Sequence, residues 1–588
     1  MKHHSCSAKE LVLRTTIFLC TIFSITGCKE NKTQVNNTSG KWSEYVGRYS
    51  LKPDFVLNVK TDGELLTLLP SFWGSAQILD PIQKDSFVSL LHPRMQFKFN
   101  RDSTGKVISL TSSGNNEING TAQKLPSGEY LAVELLLSGD SPAAIAKLKT
   151  NEEMINENRL VHLGFQLISN YPSRASSAVS FLSAFESKYP RSADLQQVIG
   201  LGSMLAKDRK RARSAFQKAF LIDPTDRLSQ SVLRILDPEN ATPPPKEAWK
   251  LPFDLNKLFE IPSSTEITDV RRDWQGRDLS VKSVEKVEER SVKLDGCDYV
   301  LRIIKHDVQG RNHYGAVLIP KSATLGSSPV VLELHGVDSR YSPFKVRKAK
   351  MPKILRENRE HVIIAIPSFQ GNTLIVEEQS YISEGSAARA WDGAADDAIA
   401  FLNVVISTIP EVDSTRISTF GKSRGGTVAM LLGIRDKRIG CVINWAGPSG
   451  WFSHMGTFGF TLQEQVQWGL WERWSPGRGW GSASQFIDWF LRESIDTGKP
   501  KLSKIRHQIL ASSPIYFLNS LPVAQLQYGI EDGGVPIANA KALKKALEFR
   551  DKSAPVFELH MHENTGHDQP YPRAFELSRQ FLHKQFFE

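Results

Sequence analysis

The chain has 588 residues, 40% of them hydrophobic and 23% charged; this is too long for one core, and the composition excludes both a polytopic membrane protein and a disordered chain. The formal net charge is +10, but the basic residues are spread along the chain and no basic run is interleaved with aromatics, so nucleic acid is not an expected partner. No cluster of His, Cys and carboxylates has metal-ligand spacing and no phosphate-cradling loop appears, so neither metal nor organic cofactor is expected.

At the N-terminus, Lys2, Lys9 and Arg14 precede an apolar stretch from Thr15 to Ile25 that ends in Ile25-Thr26-Gly27-Cys28. This pattern is that of an export signal over 1–28, and its apolar run is about half of the roughly 20 residues a spanning helix needs. The ending resembles a lipobox. That resemblance implies acylation of the Cys28 thiol and a chain anchored by lipid to a bacterial membrane, in the periplasm or facing the surface. Residues 29–41 are polar, as a flexible tether would be. Of the five cysteines, Cys6 and Cys20 leave with the signal, so Cys297 and Cys441 remain and form no disulfide framework. Cys441, inside GCVINW, reads as a buried small hydrophobe.

From 42 to 138 short alternating runs such as FVLNVKTDGELLTL and MQFKFNRDSTGKVISL, separated by D-G and T-G turns, predict a small antiparallel β-domain. It is similar to β-barrel modules appended to some exported bacterial hydrolases, which implies an accessory role. From 139 to 236 the period becomes helical. The run GLGSMLAKDRKRARSAFQKAFLIDPTD resembles a tetratricopeptide unit, with Gly200, Gly202 and Ala212 where paired helices approach and Ala219, Phe220 and Pro224 at the second helix's end. Such a segment is a short spacer packed on its neighbours, or a surface for a protein partner. The Pro-rich stretch 237–250 is a linker to the next unit.

From 251 to 588 strands and helices alternate, which predicts a mostly parallel sheet covered by helices on both faces. Expected central strands are PVVLELHG, HVIIAIPS, RISTFGKS, CVINWAG, VAQLQYGI and VFELHMH. The motif Gly421-Lys422-Ser423-Arg424-Gly425 follows the apolar strand RISTF and precedes the helical run GGTVAMLLGI. A strained strand-to-helix turn needs glycine two residues either side of the serine, so Ser423 is the expected nucleophile, with Gly421 and Gly425 forming its elbow. A serine hydroxyl needs a base, and the base a carboxylate to orient it. Asp532, in YGIEDGGVP, and His567, in ENTGHDQP, stand after the last two strands in the chain order this architecture requires. Glu531 and Asp568 read as solvated neighbours, and His562 as strand packing. The oxyanion hole is expected from the N–H of Arg424 and of Gly336 or Val337, in the loop that His335 organises.

These residues carry a family resemblance. VLELHG, the stretch Asp413 to Gly426, YGIEDGGVP and NTGH are similar to the catalytic domain of the prolyl oligopeptidase family of serine peptidases and its esterase relatives, over roughly residues 320–588. The resemblance implies an α/β-hydrolase fold and acyl-enzyme chemistry on peptides or esters by Ser423, Asp532 and His567. No seven-bladed propeller precedes the domain, which leaves a carboxylesterase or carbohydrate esterase open beside the peptidase. An insertion at about 449–512 reads as a helical lid, and seven of the twelve tryptophans fall between Trp445 and Trp489. Trp451, Trp468 and Trp471 are candidate pocket residues, and the lid's own core is the alternative. The expected substrate is a small ester, an acylated sugar or a short peptide. An envelope-anchored interaction protein with an inactive hydrolase domain is the competing reading.

Overall fold

The computed structural model describes residues 42–588, except 53–54, 62–65, 72–76, 90–93, 116–117, 150–155, 337–342, 387–388, 453–455, 475–480, 499–500, 552, 564 and 568–572. The export signal, Cys28 and the tether lie outside the described residues, as do Val337 and Asp568. Among the described residues no helix is long and apolar enough to cross a membrane.

Eight strands, β1 (Gly47–Lys52), β2 (Phe55–Thr61), β3 (Leu66–Pro70), β4 (Gln77–Gln83), β5 (Ser86–Ser89), β6 (Gln96–Arg101), β7 (Val107–Ser113) and β8 (Gly120–Lys124), close into an antiparallel barrel. Alternation explains it: in β6 Phe97 and Phe99 point inward between exposed Gln96 and Lys98, and they meet Tyr49 and Phe87 in the barrel's core. Closure leaves no strand edge open, which suits a unit this small.

Helices follow at Ala132–Ser138, Ser141–Lys149, Glu157–Asn170, Ala175–Ser183, Ala193–Leu205, Arg209–Ile222 and Arg227–Leu236. The first of these corrects the expected boundary at 138, because Val133 and Leu136 bury in the helical core and not in the barrel. The small residues act as expected: a Cβ on Gly200 would lie 2.6 Å from the Phe216 ring, and one on Gly202 2.8 Å from Val179. The stretch 237–250 is largely exposed but tied down at both ends, by buried Asp237 and by half-buried Trp249. Trp249 donates its N–H to the Leu470 carbonyl at 2.9 Å, and its ring lies 4.1 Å beneath the Arg492 guanidinium.

The last unit is built on nine strands: β9 (Val284–Leu294), β10 (Cys297–Val308), β11 (Arg311–Pro320), β12 (Ser328–Leu334), then β14 (Ile363–Pro367), β17 (Val412–Lys422), β18 (Ile439–Trp445), β19 (Val523–Gly529) and β20 (Phe557–His562). Their spatial order is β20-β19-β18-β17-β12-β14-β11-β10-β9. The six from β12 onward that form the centre run parallel, and β9, β10 and β11 extend them as antiparallel neighbours. Short strands β13 (Pro343–Lys345), β15 (Thr373–Val376) and β16 (Gln379–Ile382) make a separate small sheet. The β9–β10 and β10–β11 hairpins turn on Asp295-Gly296 and Gln309-Gly310, all four at positive φ, as two-residue hairpin turns of the primed kind demand. Helices Asp392–Thr408, Arg424–Arg435, Ala538–Glu548 and Arg573–Phe587 alternate with the strands of the large sheet, the second of them over the expected helical run GGTVAMLLGI. Cys441 is buried, as its strand pattern implied.

Between β18 and β19 the insertion is helical, with Leu462–Glu472, Gly481–Phe486, Arg492–Thr497 and Leu502–Ala511, a π-helical turn at Ile487–Leu491 joining the second to the third. It does not stand apart. Buried residues of the helical segment, among them Phe165 and Met204, and of the insertion, among them Phe458, Val466 and Trp468, form one continuous core. Phe165 stacks on Phe458 with ring centroids 6.2 Å apart, and a Cβ on Gly459 would lie 2.2 Å from the Met204 carbonyl. The surface expected to take a protein partner therefore has, at least in part, an internal one.

Candidate active site

Ser423 follows β17 directly and begins the helix Arg424–Arg435, with φ 56° and ψ −125°. A non-glycine residue held there stores strain that its surroundings must over-determine. They do so on three sides. A Cβ on Gly421 would lie 2.1 Å from the Gly425 carbonyl, and one on Gly425 would lie 1.9 Å from that of Leu334. The Ser423 N–H donates to Trp445 O at 2.8 Å, and Ser423 O accepts from Gly426 N at 2.9 Å. Both elbow glycines are therefore needed for contact and not merely for flexibility.

Beneath the elbow lies a network that sequence reading missed. Asn444 Oδ1 accepts from Gly447 N at 2.8 Å, Asn444 Nδ2 donates to Tyr528 Oη at 2.9 Å, and Tyr528 in turn donates to Gly447 O at 2.7 Å. Thr427 donates to Pro448 O at 2.6 Å. Buried polar groups of this kind persist when all are satisfied. No sequence motif flags them, because Asn444 and Tyr528 lie in separate strands.

Asp532 and His567 leave β19 and β20 at the same edge of the sheet. His567 Nδ1 lies 2.8 Å from Asp532 Oδ2, while Asp532 Oδ1 accepts from Gly534 N at 2.8 Å and Val535 N at 2.7 Å. With Oδ1 saturated by two backbone donors, Oδ2 is left to take the proton of Nδ1, which fixes the tautomer that presents a basic Nε2. The Asp532 side chain is fully buried and that of His567 is partly open. The two loops are also bound to each other through Ile530 N to His562 O and Glu531 N to Thr565 O, at 3.0 and 2.8 Å.

Glu531 differs from expectation. It is buried, not solvated, because the helical segment covers it: its Oε2 accepts from the Ser173 N–H at 3.0 Å and its Oε1 from the Ser173 hydroxyl. Burial pushes its carboxyl above the usual range, opposed by the Ser173 bonds and the Arg174 charge. His562 is packing, as expected. It is buried in β20, its Nε2 meets Gln527 Oε1 at 3.0 Å, and burial brings it down to about 4.

On the other side of the nucleophile, a Cβ on Gly336 would lie 3.6 Å from that of Ser423, so the loop after β12 reaches the elbow. Arg424 contributes a side chain that the sequence argument left out. Its Nη2 lies within bonding distance of His335 Nδ1 at 3.1 Å, Gly336 O at 3.2 Å and Asn372 Oδ1 at 2.7 Å. Its guanidinium also lies 5.0 Å over the Phe369 ring. His335 stacks between Phe344 and Phe369, and burial beside the Arg424 charge holds it well below its ordinary pKa, hence neutral. Its Nδ1 meets the Arg424 guanidinium and its ring is held between two phenylalanines, which ties it to the loop.

Trp451 and Trp468 sit in the core that the lid shares with the helical segment, and not in a core of the lid alone. Trp451 is 1% exposed and meets Trp391 and Phe490 at centroid distances of 4.8 and 5.7 Å; Trp468, 3% exposed, meets Phe460 and Trp474 at 5.8 and 5.0 Å. Trp471 is half-buried on the helix Leu462–Glu472. Among the described residues no group of three or more His, Cys, Asp or Glu could hold a metal ion.

A central parallel sheet with β11 antiparallel beside β14, a serine elbow after β17, an acidic loop after β19 and a histidine loop after β20 settle the architecture. The C-terminal unit has the α/β-hydrolase fold. No family model matches the chain, and no curated protein matches it. Among solved structures it is similar to acetyl xylan esterase 1 from Thermoanaerobacterium sp. JW/SL YS485, at 14% identity and a TM-score of 0.40 over 57% of this chain and 99% of that one. It is also similar to the acetyl xylan esterase from Paenibacillus sp. R4, at 17% identity and 0.39 over 57% and 100%. A third is Pyrococcus horikoshii acylaminoacyl peptidase, at 15% and 0.34 over 52% and 43%.

Proposed function

We propose that the chain is a serine hydrolase that cleaves a carboxylic ester or amide through an acyl-enzyme, with Ser423 as nucleophile, His567 as base and Asp532 as its orienting acid. The observations that carry the reading are the strained Ser423 at φ 56° directly after β17 and an Asp532–His567 pair at 2.8 Å in the loops after β19 and β20, strands that run parallel in one sheet. Strain kept where chemistry needs an exposed hydroxyl is hard to explain in an inactive relic.

In this reading Ser423 Oγ attacks the carbonyl carbon and its proton passes to His567 Nε2, the imidazolium being steadied by Asp532. The oxyanion takes N–H groups from Arg424 and from the loop at Gly336 and Val337, with added field from the helix N-terminus. Collapse breaks the bond to the leaving oxygen or nitrogen, which accepts the proton from His567. Water, deprotonated by His567, then releases the acid and restores Ser423. A small ester, an acylated sugar or a short peptide is the substrate class of this reading, with the helical segment packed on the acid's loop through Glu531. Lipid anchoring through Cys28 would place this chemistry at a bacterial membrane, and fatty-acid incorporation lost in Cys28→Ser tests that placement.

The test of the main reading is fluorophosphonate labelling of residues 29–588, followed by turnover of p-nitrophenyl esters and peptide p-nitroanilides. Labelling that disappears in Ser423→Ala, with turnover of either substrate, supports it. Faster ester turnover assigns an esterase and faster amide turnover a peptidase. Turnover retained in Ser423→Ala removes the reading.

A further inference from the structure

We infer that Ser173, in the helical segment, is a positioning residue for the catalytic acid, acting through Glu531; this rests on the hydrolase reading above. Three separate connections converge on Glu531. Its main-chain N–H donates to Thr565 O, two residues before His567. Its carboxylate takes both the N–H and the hydroxyl of Ser173, which lies 358 residues away in the chain. Its carboxyl side leads directly into Asp532, whose Oδ1 takes two N–H groups of its own loop. Glu531 is thus the node at which the acid's loop, the base's loop and a different structural unit are bolted together.

The helical side of this joint is itself fixed. Ser173 lies in a single 3-10 turn, Pro172–Arg174, whose proline sets the backbone, and the preceding Tyr171 is buried and donates its hydroxyl to Ser71 O in the barrel at 2.7 Å. All three units therefore meet within a few residues of Asp532. A carboxylate this buried requires partners, and Ser173 supplies two. The groups facing Glu531 from the helical side are Tyr171 and Arg174, which carry no second carboxylate to compete for those donors.

The chemical consequence is geometric. Among the described residues no main-chain hydrogen bond joins Asp532 itself to the base's loop, whereas one joins Glu531 to it, so the angle at which Oδ2 meets His567 Nδ1 depends on how the preceding peptide is held. Removing the Ser173 hydroxyl leaves Glu531 with one donor in a buried site and lets that peptide relax. Small displacements of a catalytic group lower turnover without weakening the binding of a small substrate.

The experiment compares wild type, Ser173→Ala, Ser173→Thr and Glu531→Gln in the full mature chain. It reads the fluorophosphonate labelling rate, kcat and KM on a p-nitrophenyl ester, the pH profile of kcat, and the melting temperature. Ser173→Ala is expected to lower kcat and labelling by about five-fold or more with KM within about two-fold. The ascending limb of its pH profile should move, because the imidazolium loses part of its partner, and Ser173→Thr should restore both. Ser173→Ala that labels as fast as wild type, with an unshifted profile, overturns the inference and leaves the hydrolase standing. The inference is equally overturned by a fall in kcat that threonine does not recover, or that matches the loss of folded protein. Wild-type protein that never labels removes the hydrolase and this role together.

Discussion

Arg424 Nη2 donates to the Gly336 carbonyl at 3.2 Å and to Asn372 Oδ1 at 2.7 Å, so the residue that follows the nucleophile also holds, by its side chain, the loop on the nucleophile's other side. In the proposed oxyanion hole, one residue then serves both halves. Arg424→Met keeps the stem's packing and removes these bonds, and should lower kcat on a p-nitrophenyl ester by about a hundred-fold, the size seen when an oxyanion donor is misplaced. Arg424→Lys should recover little, because one ammonium cannot reproduce the planar fork. Steady-state kinetics decide it: a raised KM with intact kcat would assign Arg424 to substrate binding instead.

Gly425 is the tightest point of the elbow. An added methyl would lie 1.9 Å from Leu334 O, a main-chain atom of a central strand that cannot swing aside. Gly425→Ala should therefore lose fluorophosphonate labelling and be destabilised by about 2 kcal/mol or more. A variant that labels at the wild-type rate would mean that the helix Arg424–Arg435 shifts freely against β12.

Much of this site was legible in the chain because its parts obey short-range rules. The elbow is five consecutive residues, and each expected central strand, from PVVLELHG to VFELHMH, appears as one. The antiparallel strands β9–β11 were legible too, from alternation around Asp295-Gly296 and Gln309-Gly310, but were not read, and a search for two-residue turns would have found them. Glu531 could not be read. Its partner Ser173 lies in another unit, and beside an acidic residue in a Gly-rich loop the ordinary expectation is solvent. The same limit hid Asn444, Asn372 and the packing of the helical segment on the lid. Whether a tryptophan lines a pocket or fills a core also depends on neighbours remote in sequence, and Trp451 and Trp468 fill a core.

A buried acid away from the triad gives a pH test. Asp397 is fully buried beside His313, its Oδ2 accepting from Gln370 N at 2.8 Å, and burial pushes its carboxyl up to about 7. A raised carboxyl favours the folded state at low pH and loses that contribution as pH rises through about 7. Asp397→Asn should therefore gain on wild type by roughly 1–1.5 kcal/mol between pH 6 and pH 8.5, the larger part of the loss falling already between about pH 4 and pH 6. His306 and His313, brought down to about 3 and 4 by burial, act oppositely and destabilise both proteins below their unfolded pKa of about 6.5. Denaturant melts at the two pH values check the difference, and an equal change at both would show that Asp397 does not titrate in this range.

The joint between lid and helical segment gives the last test. Glu472, at the end of a lid helix, accepts from Ser231 Oγ at 2.5 Å and from Arg234 Nη1 at 3.1 Å, and Arg234 is 8% exposed. Glu472→Ala removes the carboxylate partner of a buried guanidinium and leaves it only the neutral Thr242 carbonyl at 3.0 Å and Ser231 hydroxyl at 3.3 Å, a loss of about 3 kcal/mol. Because helical segment and lid share one core, that loss should not stay local. Limited proteolysis is expected to cut the stretch 237–250 and the lid together and faster than in wild type, with slower labelling of Ser423. Cleavage confined to 237–250, with labelling unchanged, would show that the lid and the nucleophile keep their structure without the helices behind the lid.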